Sequence, residues 1–163
     1  MIRKAVLALA LAVAACATEP GTTGYREAGA QISSAVFWDP ARMQGDWVSV
    51  AAFAGENWQP GTAVSFDFSG PDGRMIFVSA SGLAMMPVTP AGPGRFRRSD
   101  GGAAAPFWVL WVDEGYRTAV IGTPNGSFGF ILNRDKAIPA DRMRAAREVL
   151  DFNGYDVAQL QVL

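Results

Sequence analysis

Ala63-Val64-Ser65-Phe66-Asp67-Phe68-Ser69 alternates apolar with small or polar residues, and Pro71-Asp72-Gly73 interrupts it before Arg74-Met75-Ile76-Phe77 starts a second run. Period-two alternation puts one set of side chains on each face of a strand. Pro, Asp and Gly in succession supply the turn. The same signature returns in Phe128-x-Phe130-x-Leu132, and further turns are marked by Pro90-Ala91-Gly92-Pro93-Gly94, Asp113-Glu114-Gly115 and Pro124-Asn125-Gly126. Short strands punctuated in this way predict an all-β domain. Eight are expected, over 46–53, 63–69, 74–80, 84–89, 94–98, 107–113, 116–122 and 127–134.

One helix follows the strands. Pro139 and Asp141 suit a first turn, Met143, Ala146 and Leu150 with Val149 recur at helical spacing, and Asn153-Gly154 is a left-handed stop. A single amphipathic helix beside eight strands packs most simply outside a barrel, and 155–163 reads as a last extended segment. The fold expected is therefore an eight-stranded up-and-down antiparallel β-barrel with one C-terminal helix outside it.

Strand direction then separates the two ends. Trp47, in Gly45-Asp46-Trp47, opens the first strand and Arg134 closes the eighth, so in an up-and-down barrel both lie at one end. Phe68, Met75, Trp111, Tyr116 and Arg117 belong to that end, and Phe37 and Trp38 are positioned to cross beneath it. The loops 54–62, 81–83, 99–106 and 123–126 go to the opposite end, the mouth. An eight-stranded antiparallel barrel has an interior just wide enough for side chains or one small ligand.

Asp39-x-x-Arg42-x-x-Gly45-x-Trp47 resembles the opening motif of lipocalins, and Trp58-x-x-Gly61 resembles an element of their first loop. Val109-x-x-x-Asp113-x-x-Tyr116-Arg117-x-Ala119 is similar to the sixth and seventh strands of bacterial lipocalins related to apolipoprotein D. Ile131-Leu132-x-Arg134 resembles their eighth strand, and Gly154-Tyr155-Asp156-Val157 their post-helix turn. The resemblance runs from about Asp39 to Leu163. It implies that Arg134 stacks on Trp47 as the barrel floor, with Gly45 and Tyr116 part of the same closed end. It departs at Val48-Ser49, where the family usually has Tyr-Glu, and in the short span 74–106 that must hold three strands.

The N-terminus reads differently. Met1-Ile2-Arg3-Lys4 is basic, 5–15 is an unbroken small and aliphatic run, and Cys16 is the chain's only cysteine. So short a run has the length of a signal-peptide core rather than of a membrane span. Val13-Ala14-Ala15-Cys16 resembles a bacterial lipobox, which implies acylation at Cys16 and, with Ala17 after it, a lipid-anchored protein of the outer membrane facing the periplasm. Residues 1–15 are then the lipoprotein signal peptide, 16–34 the acylated Cys and a flexible tether, and 35–163 the barrel domain.

Function classes narrow by exclusion. A net charge of −1 with scattered Arg gives no attraction to nucleic acid. With no His and one Cys assigned to lipid, His-dependent triads, thiol catalysis and the usual zinc sites are excluded. No cofactor is expected and no enzymatic activity. The inward phase set by Trp47 and Arg134 assigns Ala51, Phe53, Val64, Phe66, Phe77, Phe107, Val109, Val120, Phe128 and Phe130 to the upper barrel, where they either fill it as core or contact a small hydrophobic or amphiphilic ligand. Met86 suits ligand or irregular core alike. Trp58 is a lid over the mouth or a plug on its own loop. Arg97 and Arg98 could pair with an anionic headgroup or simply be solvated. Trp108, Leu110 and Val112 make the sixth strand apolar on its other face too, and a face not covered by the helix would suit a homodimer, a membrane contact or an adaptor role with a protein partner.

Overall fold

In a computed structural model, which describes residues 24–53, 59–70, 72–79, 82–100 and 106–163, the alternating runs pair as antiparallel neighbours. The strands are β1 (Gly45–Phe53), β2 (Ala63–Asp67), β3 (Gly73–Ser79), β4 (Gly82–Gly92), β5 (Arg95–Arg98), β6 (Phe107–Val112), β7 (Thr118–Gly122) and β8 (Gly129–Asn133). Each pairs with its sequence neighbour, and β1 pairs with both β2 and β8, so the sheet closes into a barrel. The span 74–106 accommodates its three strands as two hairpins, with β4 running through Pro90. A short helix α1 (Pro40–Met43) precedes β1, and α2 (Ala140–Phe152) packs outside on β6 and β7. A last strand, β9 (Leu160–Val162), pairs with Ala51 to Phe53 of β1. It takes the edge that β1 exposes on parting from β2, where unpaired N–H and C=O groups would otherwise remain.

Two β-bulges decide which residues face inward. In β1, Ser49 and Ala51 oppose consecutive β8 residues, leaving Val50 as the extra residue; in β6, Leu110 is extra between Val109 and Trp111. One inserted residue inverts the alternation beyond it. Trp47 and Ala52 therefore belong to the inner cluster, while Val50, Ala51 and Phe53 belong to an outer cluster against the helix and tail. This corrects the inward reading of Ala51 and Phe53. Val120 is corrected as well: β7 is apolar from Ala119 to Gly122 and offers no alternation to phase, but Val120 opposes outward Ile131, whereas Ala119 and Ile121 oppose inward Leu132 and Phe130. Val112 turns inward rather than joining Trp108 and Leu110.

The stretch 24–34, read from composition as tether, is a strap bound to the barrel wall; residues 16–23 lie outside the described residues. The Tyr25 N–H donates to the Gly126 carbonyl at 2.8 Å, and its ring stacks on Phe53 at 5.0 Å. The buried Arg26 guanidinium donates to the carbonyls of Asn153 at 2.6 Å, Pro124 at 2.8 Å and Ala30. A cation there complements the C-terminal end of α2. Ser33 N–H donates to the Asn153 side chain at 2.7 Å, and Ala35 N–H to the Val109 carbonyl at 2.8 Å. The strap thus descends from the β7–β8 turn to the barrel's opposite end.

The tail locks the same wall. Gly122 and Gly129 are cross-strand partners, and a Cβ on either would lie 2.6 Å or 2.9 Å from the Tyr155 ring system. Glycine at both positions lets that ring lie against the sheet. The Tyr155 hydroxyl accepts from Thr123 N–H at 2.7 Å and donates to the Phe128 carbonyl at 2.9 Å, and burial pushes its pKa up.

Candidate functional site

The floor is a hydrogen-bonded knot around Arg134. Its guanidinium lies 3.8 Å from the centre of the Trp47 ring, a stack of about 0.5–2 kcal/mol depending on desolvation. The same group donates to the carbonyls of Arg42 at 2.8 Å, Gln44 at 3.1 Å, Asp46 at 2.9 Å and Tyr116 at 3.2 Å. One cation thereby joins α1, the start of β1 at Gly45 and the β6–β7 turn. Trp47 Nε1–H donates to the Met43 carbonyl at 2.8 Å, so its indole is paired although buried. Asp39 caps α1 through Ala41 N–H, and its own N–H donates to the Tyr116 hydroxyl at 2.6 Å.

Tyr116 is held at φ 53° by the turn, and Asp113 is what fixes that turn. Burial would raise the Asp113 pKa, but hydrogen bonds from Thr118 N–H, Arg117 N–H and the Arg117 guanidinium outweigh it and hold the carboxyl below its ordinary value. The floor residues thus spend their polar groups on one another and on backbone carbonyls. This end is closed.

Above the floor the interior is aromatic. Phe96 stacks on Phe107 at 4.9 Å and on Phe68 at 5.3 Å, Phe66 stacks on Phe68 at 5.7 Å, and Trp38 meets Phe68 and Phe96 edge-on at 5.4 Å and 5.2 Å. Trp38, crossing from the strap, and Phe68, at the foot of β2, fill the lower barrel on the side of β2, β5 and β6. Phe66 and Phe107, assigned to ligand contact by alternation, belong to this packed lower layer as well as to the inner face.

Solvent reaches part of the inner face above the floor. Phe77, Met86 and Phe128 keep 7%, 5% and 9% of their surface, whereas Val64, Phe66, Phe107, Val109 and Phe130 keep 1% or less. Phe128 and Phe130 stack at 5.9 Å. Eight of the residues assigned to the site therefore do share the inner face: Val64, Phe66, Phe77, Met86, Phe107, Val109, Phe128 and Phe130. Phe53 and Val120 lie behind the wall, and Trp58 lies outside the described residues. Arg98 was not placed on the lumen side by sequence, but its pairing opposite inward Val88 puts it there, at the upper end of β5 and ion-paired with Asp100. Most of the buried polar residues belong to the strap, the turns and the helix junction; Ser49 of β1 is the exception among the described residues, opposite inward Leu132 with its hydroxyl donating to the Ala51 carbonyl at 3.4 Å. No group of His, Cys, Asp and Glu suited to a metal is found among the described residues.

The outer face of β6 is covered rather than bare. Leu110 is buried beneath the helix, and the Arg95 guanidinium lies 4.4 Å over the Trp108 ring. A groove of about 450 Å³ does run along α2, but its lining of Arg144, Arg147, Glu148 and Asp151 is mixed in charge and suits no single class of ligand.

With this geometry in place, comparison with known proteins is informative. A family model described as a lipocalin-like domain matches residues 94–163, which hold β5 to β9 and α2. Temperature-induced lipocalin-1 of Arabidopsis thaliana is 33% identical over 54 residues, 33% of this chain; the match spans 29% of that relative's length. Insecticyanin from the tobacco hornworm Manduca sexta superposes with a TM-score of 0.59 at 17% identity over 85% of each chain. The siderocalin Ex-FABP, described as functioning through dual ligand specificities, gives 0.58 at 15% identity over 75% of this chain and 93% of its own. At such identities the structures show the fold alone. Together with the family model, they support the lipocalin family.

Proposed function

We propose that the protein binds a small amphiphile, a fatty acid or lysophospholipid, with its apolar chain in the upper barrel. The lipocalin fold suggests small hydrophobic ligands in general. The observation that carries the narrower reading is the position of Phe77, Met86 and Phe128. They are inward, apolar and in touch with solvent, Phe77 and Phe128 near the ends of β3 and β8 that lie opposite the Trp47–Arg134 floor and Met86 lower on the same wall as Phe77, opposite Met75.

Among the described residues the inner face brings together no carboxylate pair and no nucleophile with a base, so the chemistry read from it is burial. Ten methylenes taken from water contribute about 8 kcal/mol, the scale of a micromolar Kd. Packed Trp38, Phe66, Phe68, Phe96 and Phe107 limit how deep a chain can descend, and an anionic headgroup at the rim would share Arg98 with Asp100. Activity as an enzyme is not part of this reading.

The same proposal places the chain on the bacterial outer membrane, facing the periplasm, through acylated Cys16 after removal of 1–15. The lipobox resemblance of Val13-Ala14-Ala15-Cys16 supports it. The test is titration of the protein with an environment-sensitive fatty-acid probe. Micromolar uptake is expected, with Met86→Trp or Phe130→Trp weakening it by about tenfold and Met85→Trp leaving it unchanged. Absence of uptake at any concentration below probe self-association would overturn the reading.

A further inference from the structure

The hairpin β3–β4 breaks the rule that a half-exposed antiparallel pair alternates apolar and polar. Its inner face carries Met75, Phe77, Ala84 and Met86, as a lumen wall must. Its outer face carries Ile76 opposite Met85 and Val78 opposite Leu83. Val78, Leu83 and Met85 are 50%, 74% and 56% exposed. The outer ladder rises toward the last pair of the hairpin, Ser79 opposite Gly82, which is on the mouth rim because β3 runs from floor to mouth. Among the described residues nothing packs over it.

The strap decides what does. Tyr25 is hydrogen-bonded to Gly126 in the β7–β8 turn, also on the mouth rim, and β7–β8 is diametrically across the eight-stranded barrel from β3–β4. Eight residues lead from Gly24 back to Cys16, a contour of at most about 29 Å. An acyl anchor on Cys16 therefore joins the domain at the mouth rim rather than at the floor. The exposed ladder lies on the far side of the same rim.

We infer that the mouth faces the membrane, with the rim held at one side by the acylated N-terminus and at the other by the outer ladder Val78, Leu83 and Met85 seated in the lipid interface. This rests on the proposed acylation of Cys16. Its consequence for function is direct: the lumen opens onto lipid, so an amphiphile can pass between bilayer and barrel without crossing water.

The experiment uses the full chain purified from its membrane and reconstituted in vesicles of phosphatidylethanolamine and phosphatidylglycerol with brominated acyl chains. Mass spectrometry of the same sample reads the anchor. Single environment-sensitive fluorophores are attached through Leu83→Cys at the rim and Phe37→Cys, 95% exposed, beside the floor. Quenching several-fold stronger at position 83 is expected, and Leu83→Asp with Met85→Ser should cut partitioning of the Cys16→Ser chain onto the vesicles by at least about tenfold. Equal quenching at both positions, or stronger quenching at 37, overturns the orientation even with Cys16 acylated; a ladder that binds protein instead gives that result. A chain found unacylated overturns the anchor and this orientation with it, while probe uptake by the lumen stands or falls separately.

Discussion

The barrel has two unlike walls. On β6, β7, β8 and β1 the outer face is buried under α2, the strap and the tail, so Val50, Ala51, Phe53, Val120, Ile131 and Leu150 form a second core behind the first. On β3 and β4 no such layer exists among the described residues, and the outer residues Val78, Leu83 and Met85 stand in solvent. The backed wall gives the barrel a second buried layer. The bare wall contributes Phe77 and Met86, two of the three candidate-site residues on the inner face that keep more than 1% of their surface, so the proposed ligand and membrane contacts fall on the side that no second layer covers among the described residues.

That contrast can be broken most sharply at Gly122. A β-branched side chain there meets the Tyr155 hydroxyl and Leu110 Cδ1, 2.6 Å and 2.8 Å from the Cβ, and the backed wall has no room to yield. Gly122→Val should destabilise by about 3 kcal/mol or more, read as a lowered midpoint in chemical denaturation.

A smaller effect is expected at Asp113, at the foot of the backed wall. Asp113→Asn weakens the charge-assisted hydrogen bonds that set the β6–β7 turn and should cost about 1–2 kcal/mol at neutral pH. The native carboxyl is held below its ordinary value, so its stabilisation is present above the unfolded pKa, about 4, and is lost as pH falls through the folded one. The native chain should therefore lose more stability than the variant on acidification below about pH 4, as thermal melts in a pH series would show. On the bare wall, Leu83→Ser should change stability by less than about 0.5 kcal/mol, although it removes an apolar group of the same size as Gly122→Val adds. A loss there of the size expected at Gly122 would mean that the two walls do not differ.

The strand layout and the closed end were legible because they depend on local signals. Gly and Pro punctuate the turns, alternation marks β2 and β8, and strand direction alone brings Trp47 and Arg134 together. What was not legible depended on register and on non-local backbone pairing. The bulges at Val50 and Leu110 carry no local mark, yet they move Phe53 and Ala51 out and Val112 in. Val120 sits in a run with no alternation to phase. The strap is poor in large apolar residues and reads as tether, but Tyr25, Arg26 and Ser33 bind to turns more than 90 residues away. Arg26 was the available signal there: a lone Arg in a Gly- and Thr-rich stretch, ahead of a helix end with free carbonyls.

Met85 and Met86 are neighbours in sequence on opposite faces of the bare wall, one in solvent and one in the lumen. They allow the central claim to be tested within a single molecule. With the methionine methyl groups ¹³C-labelled and a fatty acid present below its critical micelle concentration, intermolecular NOEs from the ligand's methylenes should reach Met86 and not Met85. NOEs to Met85 alone, or to neither methyl at saturating ligand, would contradict a binding site inside the barrel.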